Sequence, residues 1–303
     1  MSQARTEAVS EAALPVPRSA RPVAAAFLIL LGSAIVAVTA LLAKALGTDH
    51  WGPALHPLQI TQGRFFFALL AVLAAFALMR PRVHEPNVPL HCARAMCGFF
   101  AVSLMFAAAT MIPLSDATAI SFLSPVVTMV LAVLVLRERV GPWRWLAAAI
   151  ALTGAAVLMR PGAGVIAVGA LLALASAMAM GLELTIIKRL TQREGMAQIL
   201  LFSNVLGTLI ASTAAYFVWQ MPNGVQWAGL AGLGLMMVCA QVCYVRAMKF
   251  ADVSFVAPVA YTTLVFAAIY DALMFAVWPD LVSVVGAGLI LAGALVLTTR
   301  ARH

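Results

Sequence analysis

Residues 116–160 read DATAISFLSPVVTMVLAVLVLRERVGPWRWLAAAIALTGAAVLMR, and residues 252–300 read DVSFVAPVAYTTLVFAAIYDALMFAVWPDLVSVVGAGLILAGALVLTTR. With gaps of a few residues the two can be laid on each other. Both begin with an acid (Asp116, Asp252) and carry a Pro within the first three turns (Pro125, Pro258) and another at the next helix junction (Pro142, Pro279). Both also have a Gly in the last helix (Gly154, Gly293) and end on an Arg (Arg160, Arg300). A repeat of this kind points to a chain built of two related halves.

The composition says what the halves are made of. Of 303 residues 64% are hydrophobic and 10% charged, with mean hydropathy +1.02. A soluble domain carries about 25% charged residues, so this chain lacks the polar surface to cover a water-facing core, and a soluble enzyme is excluded. A spanning helix uses about 20 apolar residues. Ten apolar runs stand at about 22–46, 58–79, 89–110, 114–136, 145–159, 164–187, 196–219, 226–248, 252–276 and 281–299. The expected architecture is an all-α integral membrane protein of ten transmembrane helices. Residues 1–21 form a flexible tail, 22–159 a first five-helix repeat, 160–299 a second, and 300–303 the C-terminal end. Because five is odd, the second half enters the membrane in the opposite sense, as an inverted repeat.

The net charge of +8 becomes an address when it is read by position. With the N-terminus inside, 15 of the 19 basic residues fall on cytoplasmic segments: Arg5, Arg18, Arg21, Arg80, Arg82, Arg137, Arg139, Arg144, Lys188, Arg189, Arg193, Arg246, Lys249, Arg300 and Arg302. The outside loops hold Arg160 alone, while Lys44, Arg64 and Arg94 lie within spans. This asymmetry predicts both termini in the cytoplasm. The six tryptophans, Trp51, Trp143, Trp145, Trp219, Trp227 and Trp278, sit near helix ends as an aromatic belt. No cleavage site follows the first apolar run, so no signal peptide is expected.

Three segments carry a family likeness: PLQITQGRFFFALL (Pro57 to Leu70), PLSDATAISFLSPVVTMVLAVLVLRERVGPWRWLAAAIALTGAAVLM (Pro113 to Met159) and the weaker second copy from Asp252. Together they resemble the drug/metabolite transporter superfamily and, within it, the ten-helix EamA-type permeases. The resemblance implies two inverted five-helix halves around a central cavity, in a bacterial-type inner membrane, with solute moved by alternating access. The second copy departs from the pattern in Tyr270 and Asp271 and lacks a basic cluster like Arg137 to Arg139 after the ninth span.

Ionisable residues at membrane depth cost about 2.5–3.5 kcal/mol each on insertion scales, which makes them functional candidates. Arg64, two turns into the second span, and Asp271, one turn from the end of the ninth, are placed to face one outer vestibule as opposite charges. Arg64 also stands where the resemblance places an arginine. Lys44 is read as snorkelling, and Arg94 as touching lipid head groups. Glu183 precedes Lys188 by five residues, a poor helix-pair spacing, so it is left for a partner on another helix, a cation or a proton. Asp116 and Asp252 are read as helix caps.

Neutral polar residues concentrate beside the paired prolines: Ser121, Ser124 and Thr128 around Pro125, and Tyr261, Thr262 and Thr263 after Pro258. Helices interrupted at corresponding places of two inverted halves point to a midplane binding site. Gln62, Asn204, Gln241 and Tyr244 complete the expected lining, whose neutral polarity and aromatic faces suit a zwitterionic or amphipathic metabolite.

Five scattered histidines and four apolar-stretch cysteines (Cys92, Cys97, Cys239, Cys243) give no metal-ligand spacing. No phosphate-binding loop is present, so no nucleotide or other cofactor is expected and gradients drive the transport. The expected function is export of an amino-acid-like or amino-acid-derived metabolite. Uptake of a vitamin or nucleoside-like compound is the alternative, and an integral-membrane enzyme on lipid-linked substrates a remote one. The partners are a small-molecule substrate and the lipid bilayer, without nucleic acid, the chain being a monomer or homodimer.

Overall fold

Proline opens several of the helices, where its missing N–H is no loss and its fixed φ is already helical. In the computed structural model, which describes residues 22–79, 85–136, 141–159, 165–191, 194–250 and 259–299, this holds for α1 (Pro22–Leu46), α2 (Pro57–Met79) and α6 (Pro142–Met159). Helix α3 (Val88–Met111) has Pro89 in its first turn, and the side chain of Asn87 caps it by accepting from Leu90 N–H at 3.3 Å. The remaining helices are α4 (Leu114–Ser121), α5 (Ser124–Leu136), α7 (Val165–Leu190), α8 (Met196–Tyr216), α9 (Gly224–Phe250), α10 (Thr262–Phe275) and α11 (Leu281–Thr299). The described residues contain no strand.

Among the described residues seven stretches are long and apolar enough to cross a membrane, and three shorter apolar helices accompany them: Trp145–Leu158, Thr262–Phe275 and Leu281–Val296. One predicted continuous span is divided: residues 114–136 form two helices, α4 and α5, separated at Phe122 and Leu123. The tail 1–21, Asp252, Pro258, Arg160 and many of the basic residues assigned to the cytoplasmic side, among them Arg80, Arg82, Arg137, Arg139, Arg193, Arg300 and Arg302, lie outside the described residues.

Small residues set the closest packing. Helices α6 and α11 cross so tightly that a Cβ on Gly154 would stand 2.6 Å from the Gly286 carbonyl oxygen, and one on Gly293 2.6 Å from that of Ala147. Without a hydrophobic gain between helices in lipid, such backbone approach maximises dispersion contacts. Next to this crossing lies the largest apolar cluster, with Ile120, Leu123, Leu158 and Ile290 fully buried among alanines of α3 to α7. Elsewhere α3 lies along α7, α1 along α9 and α2 along α8, while α10 rests on α1 and α4. Large apolar side chains such as Leu78, Leu273, Phe217 and Leu281 are exposed, an apolar surface that suits a hydrocarbon surround.

The bundle has two tied ends. At the Trp51 end, Asn223 Nδ2 donates to the Trp51 carbonyl (2.7 Å), Gln226 Nε2 to that of Pro53 (2.8 Å) and Gln59 Nε2 to that of Gln220 (2.6 Å). At the Glu194 end, the connection from α7 to α8 is bonded to the start of α3.

Candidate functional site

Pro125 has no N–H to return to the carbonyl of Ser121, so the helix ends there: Ser121 closes α4, and Phe122 (φ −70°, ψ 0°) leads out of it. A second interruption falls at Tyr261, a turn residue preceding α10. The two interruptions meet. The Phe122 ring stands edge-on to the Tyr261 ring with centroids 4.9 Å apart, an arrangement favoured by the aromatic quadrupoles. Tyr244 of α9 joins them, its hydroxyl 3.0 Å from Ser33 Oγ of α1, and Ser33 donates to the Ala260 carbonyl at 3.4 Å. Four elements therefore converge on one half-buried aromatic and hydroxyl lining.

The hydroxyls of this lining bond locally. Ser121 donates to the Thr118 carbonyl (2.7 Å), Thr262 to that of Val259 (2.7 Å) and Thr263 to that of Ala260 (2.7 Å). Each keeps its oxygen lone pairs as acceptors. Ser124 is buried, and its carbonyl receives Thr128 Oγ1 (2.9 Å), which also lies 3.2 Å from the Gly181 carbonyl oxygen.

The charges are arranged otherwise than the linear depth suggests. Asp271 does not meet Arg64. It is 1% exposed and receives Lys44 Nζ at 2.5 Å and the Leu114 backbone N–H at 2.8 Å, while the ammonium also lies over the Phe275 ring. Lys44 is thus a buried partner rather than a snorkelling chain, because α1 packs directly on α10 and a buried carboxylate needs its counter-charge at hand. Asp116 stands in the first turn of α4, as its reading as a helix cap expects, and its carboxylate also receives the Ser283 hydroxyl of α11 at 2.8 Å.

Arg94 is also displaced from its expected place among lipid head groups. It is buried, donates Nη1 to the Ile199 carbonyl (3.1 Å) and holds Nη2 3.5 Å from Glu183 Oε1. Glu183 therefore finds its partner on another helix. Arg64, half-buried with its guanidinium 4.8 Å from the Phe65 ring centre, lies within electrostatic reach of both Glu183 and Arg94. Room for the carboxylate comes from Gly98: a Cβ there would stand 3.2 Å from Glu183 Oε1.

Gln62 and Asn204 make their contacts away from the Phe122–Tyr261 pair. Gln62 lines a shallow open groove of about 320 Å³ with Ser212, Tyr216 and Trp219. The amide of Asn204 donates to the Leu200 carbonyl on its own helix (2.8 Å), and Gln241 is half-buried on α9. The described residues hold no metal-ligating group of three, and the four cysteines are free thiols.

One buried polar cluster escapes the sequence reading. Fully buried His91 puts Nε2 2.7 Å from Glu194 Oε2, which also accepts from Gln198 Nε2 (2.7 Å), while Glu194 Oε1 accepts from Asn87 N–H (2.9 Å). Phe202 stacks on the imidazole at 4.7 Å. Burial acts to raise the Glu194 carboxyl, but the bonds from Asn87, His91 and Gln198 outweigh it and hold the group below its ordinary value. The available signal was a lone acid in a basic connection, Lys188 to Arg193.

The EamA-like transporter family model matches the chain twice, at residues 23–160 and 167–299. A protein of Rickettsia prowazekii named S-adenosylmethionine uptake transporter is 25% identical over 249 residues, covering 82% of this chain and 85% of the relative. A riboflavin transporter of Rhizobium johnstonii is 32% identical over 197 residues, 65% of each chain. A pseudopaline exporter of Pseudomonas aeruginosa is 25% identical over 239 residues, 77% of this chain and 84% of the relative. A solved structure superposes with TM-score 0.61 at 19% identity, over 90% of this chain and 94% of the other, which shows a shared fold.

Proposed function

The chain belongs to the EamA-like transporter family, a multi-pass membrane transporter of small molecules and not an enzyme, and from that premise we propose that it is a ten-span carrier of two inverted halves working by alternating access. Two observations support the inverted arrangement. The family model matches each half separately. The packing also has the expected symmetry: exchanging each helix with its counterpart five spans on turns the α1–α9 contact into the α7–α3 contact and leaves the α2–α8, α4–α10 and α6–α11 contacts in place. The basic residues favour cytoplasmic termini and, with the bacterial relatives, an inner membrane.

The observation that carries the site is the meeting of two interrupted helices at Phe122 and Tyr261, joined by Tyr244 through Ser33. Aromatic faces, hydroxyl acceptors and a proline-freed carbonyl can bind a flat or amphipathic organic solute at mid-depth and let it go again. Within this reading Tyr261, Tyr244, Ser121, Ser124 and Thr262 contact the solute first. Gln62, Arg64, Asn204, Gln241 and Asp271 act along its path, and Glu183 is the proton-coupling candidate. The solute is an amino-acid-like or amino-acid-derived metabolite, and the direction is export.

A second reading, uptake, is favoured by the Rickettsia relatives named for S-adenosylmethionine uptake. Metabolite profiling of cells with and without the gene separates the two. Export predicts intracellular accumulation of one solute on deletion; uptake predicts its loss and a growth defect at low external supply. Unchanged levels of every solute, inside and out, would count against both.

A further inference from the structure

Arg94 of α3 and Glu183 of α7 meet in the interior at 3.5 Å, and half-buried Arg64 of α2 lies within electrostatic reach of both. Their sum is one uncompensated positive charge. No other carboxylate forms an ion pair with either arginine among the described residues, and the Nε of Arg94 is buried without a hydrogen-bond partner. The Arg94–Glu183 contact, at 3.5 Å, is a loose ion pair rather than a hydrogen bond. Glu183 is the most reachable of that pair, its side chain 20% exposed against 8% for Arg94. The carboxylate lies against Gly98, where a Cβ would stand 3.2 Å from Glu183 Oε1.

A net cation at this depth is costly unless an anion joins it. Arginine's planar fork is built to receive a carboxylate on two donors. Accordingly we propose that Arg64 and Arg94 form a subsite for the carboxylate of the transported solute, and that Glu183 is its internal competitor, holding Arg94 when the solute is away. This rests on the transporter reading and adds a substrate class to it: monoanionic or zwitterionic organic acids rather than neutral or cationic compounds.

The competitor role has an uncommon sign. If Glu183 received a solute amine, removing its charge would weaken binding; if it competes with a solute carboxylate, removing it strengthens binding. The test is the affinity of phenylacetate and of its neutral isostere phenylacetamide for the full-length protein in phosphatidylcholine nanodiscs, measured calorimetrically. The wild type should bind the acid and not the amide. Glu183→Gln should bind the acid about tenfold more tightly, a change of about 1.4 kcal/mol, and Arg64→Gln and Arg94→Gln should lose it. Equal binding of acid and amide, or Glu183→Gln that binds the acid no better, would overturn the assignment. So would loss of acid binding on adding phosphatidylglycerol, which would give the subsite to lipid head groups. Solute flux through proteoliposomes is the separate test of transport. Flux without a preference for acids defeats the subsite alone, and acid binding without flux of any metabolite defeats the transporter reading alone.

Discussion

Among the described residues, one fully buried charge set and one partly buried set are built to opposite rules. Lys44 and Asp271 balance each other, touch at 2.5 Å, and spend the remaining carboxylate oxygen on the Leu114 N–H, which joins α1, α10 and α4 near the Trp51 end. Arg64, Arg94 and Glu183 are unbalanced, the Arg94–Glu183 contact is 3.5 Å, and the Nε of Arg94 is left without a partner. A satisfied pair in low dielectric holds helices together. An unsatisfied set retains capacity to bind, which is the role proposed for it above.

Substitution breaks this contrast most sharply at the tight pair. Asp271→Ala leaves a buried ammonium alone and should cost about 3–5 kcal/mol in unfolding free energy, whereas Lys44→Met with Asp271→Leu should recover most of that loss. Chemical denaturation in detergent micelles checks both. At the loose set, Glu183→Gln should cost about 1–2 kcal/mol, and added phenylacetate should restore it by mass action. The same acid should do nothing for Asp271→Ala. If Glu183→Gln were as destabilised and as unresponsive, the two sets would be of one kind.

The Glu194 cluster gives a third, pH-dependent member. Its carboxyl is held below the ordinary value when folded, so its stabilisation is present above about pH 4.3 and is lost as pH falls through the depressed folded value. Thermal melts from neutral to acid pH should therefore fall steeply in the wild type and flatten in Glu194→Gln. The smallest expected effect is at Ala276, whose left-handed φ of 55° ends α10. Ala276→Gly should raise stability by about 0.5–1 kcal/mol, seen as a small rise in melting temperature.

The helices were legible because lipid imposes a simple rule, about 20 apolar residues per crossing, and because prolines mark their starts. Pro125 and the polar residues beside it also announced the interruption at Phe122. The partners of the charges were not legible. Position along a span gives depth but neither the helix face nor the neighbour, so Lys44 and Arg94 read as interfacial residues although both are buried. His91 and Glu194 are 103 residues apart and belong to no motif; only the packing of α3 beside the start of α8 joins them.

The central claim, that solute passes between the two interrupted helices, is tested most directly by flux. Purified wild type and Tyr261→Ala are reconstituted into proteoliposomes loaded with the solute identified by metabolite profiling, and its exit down its gradient is timed. The account predicts that wild type empties the vesicles and that Tyr261→Ala, with an unchanged melting temperature, is slowed at least about tenfold, the loss of about 1.4 kcal/mol of contact. Equal rates from a correctly folded variant would contradict it.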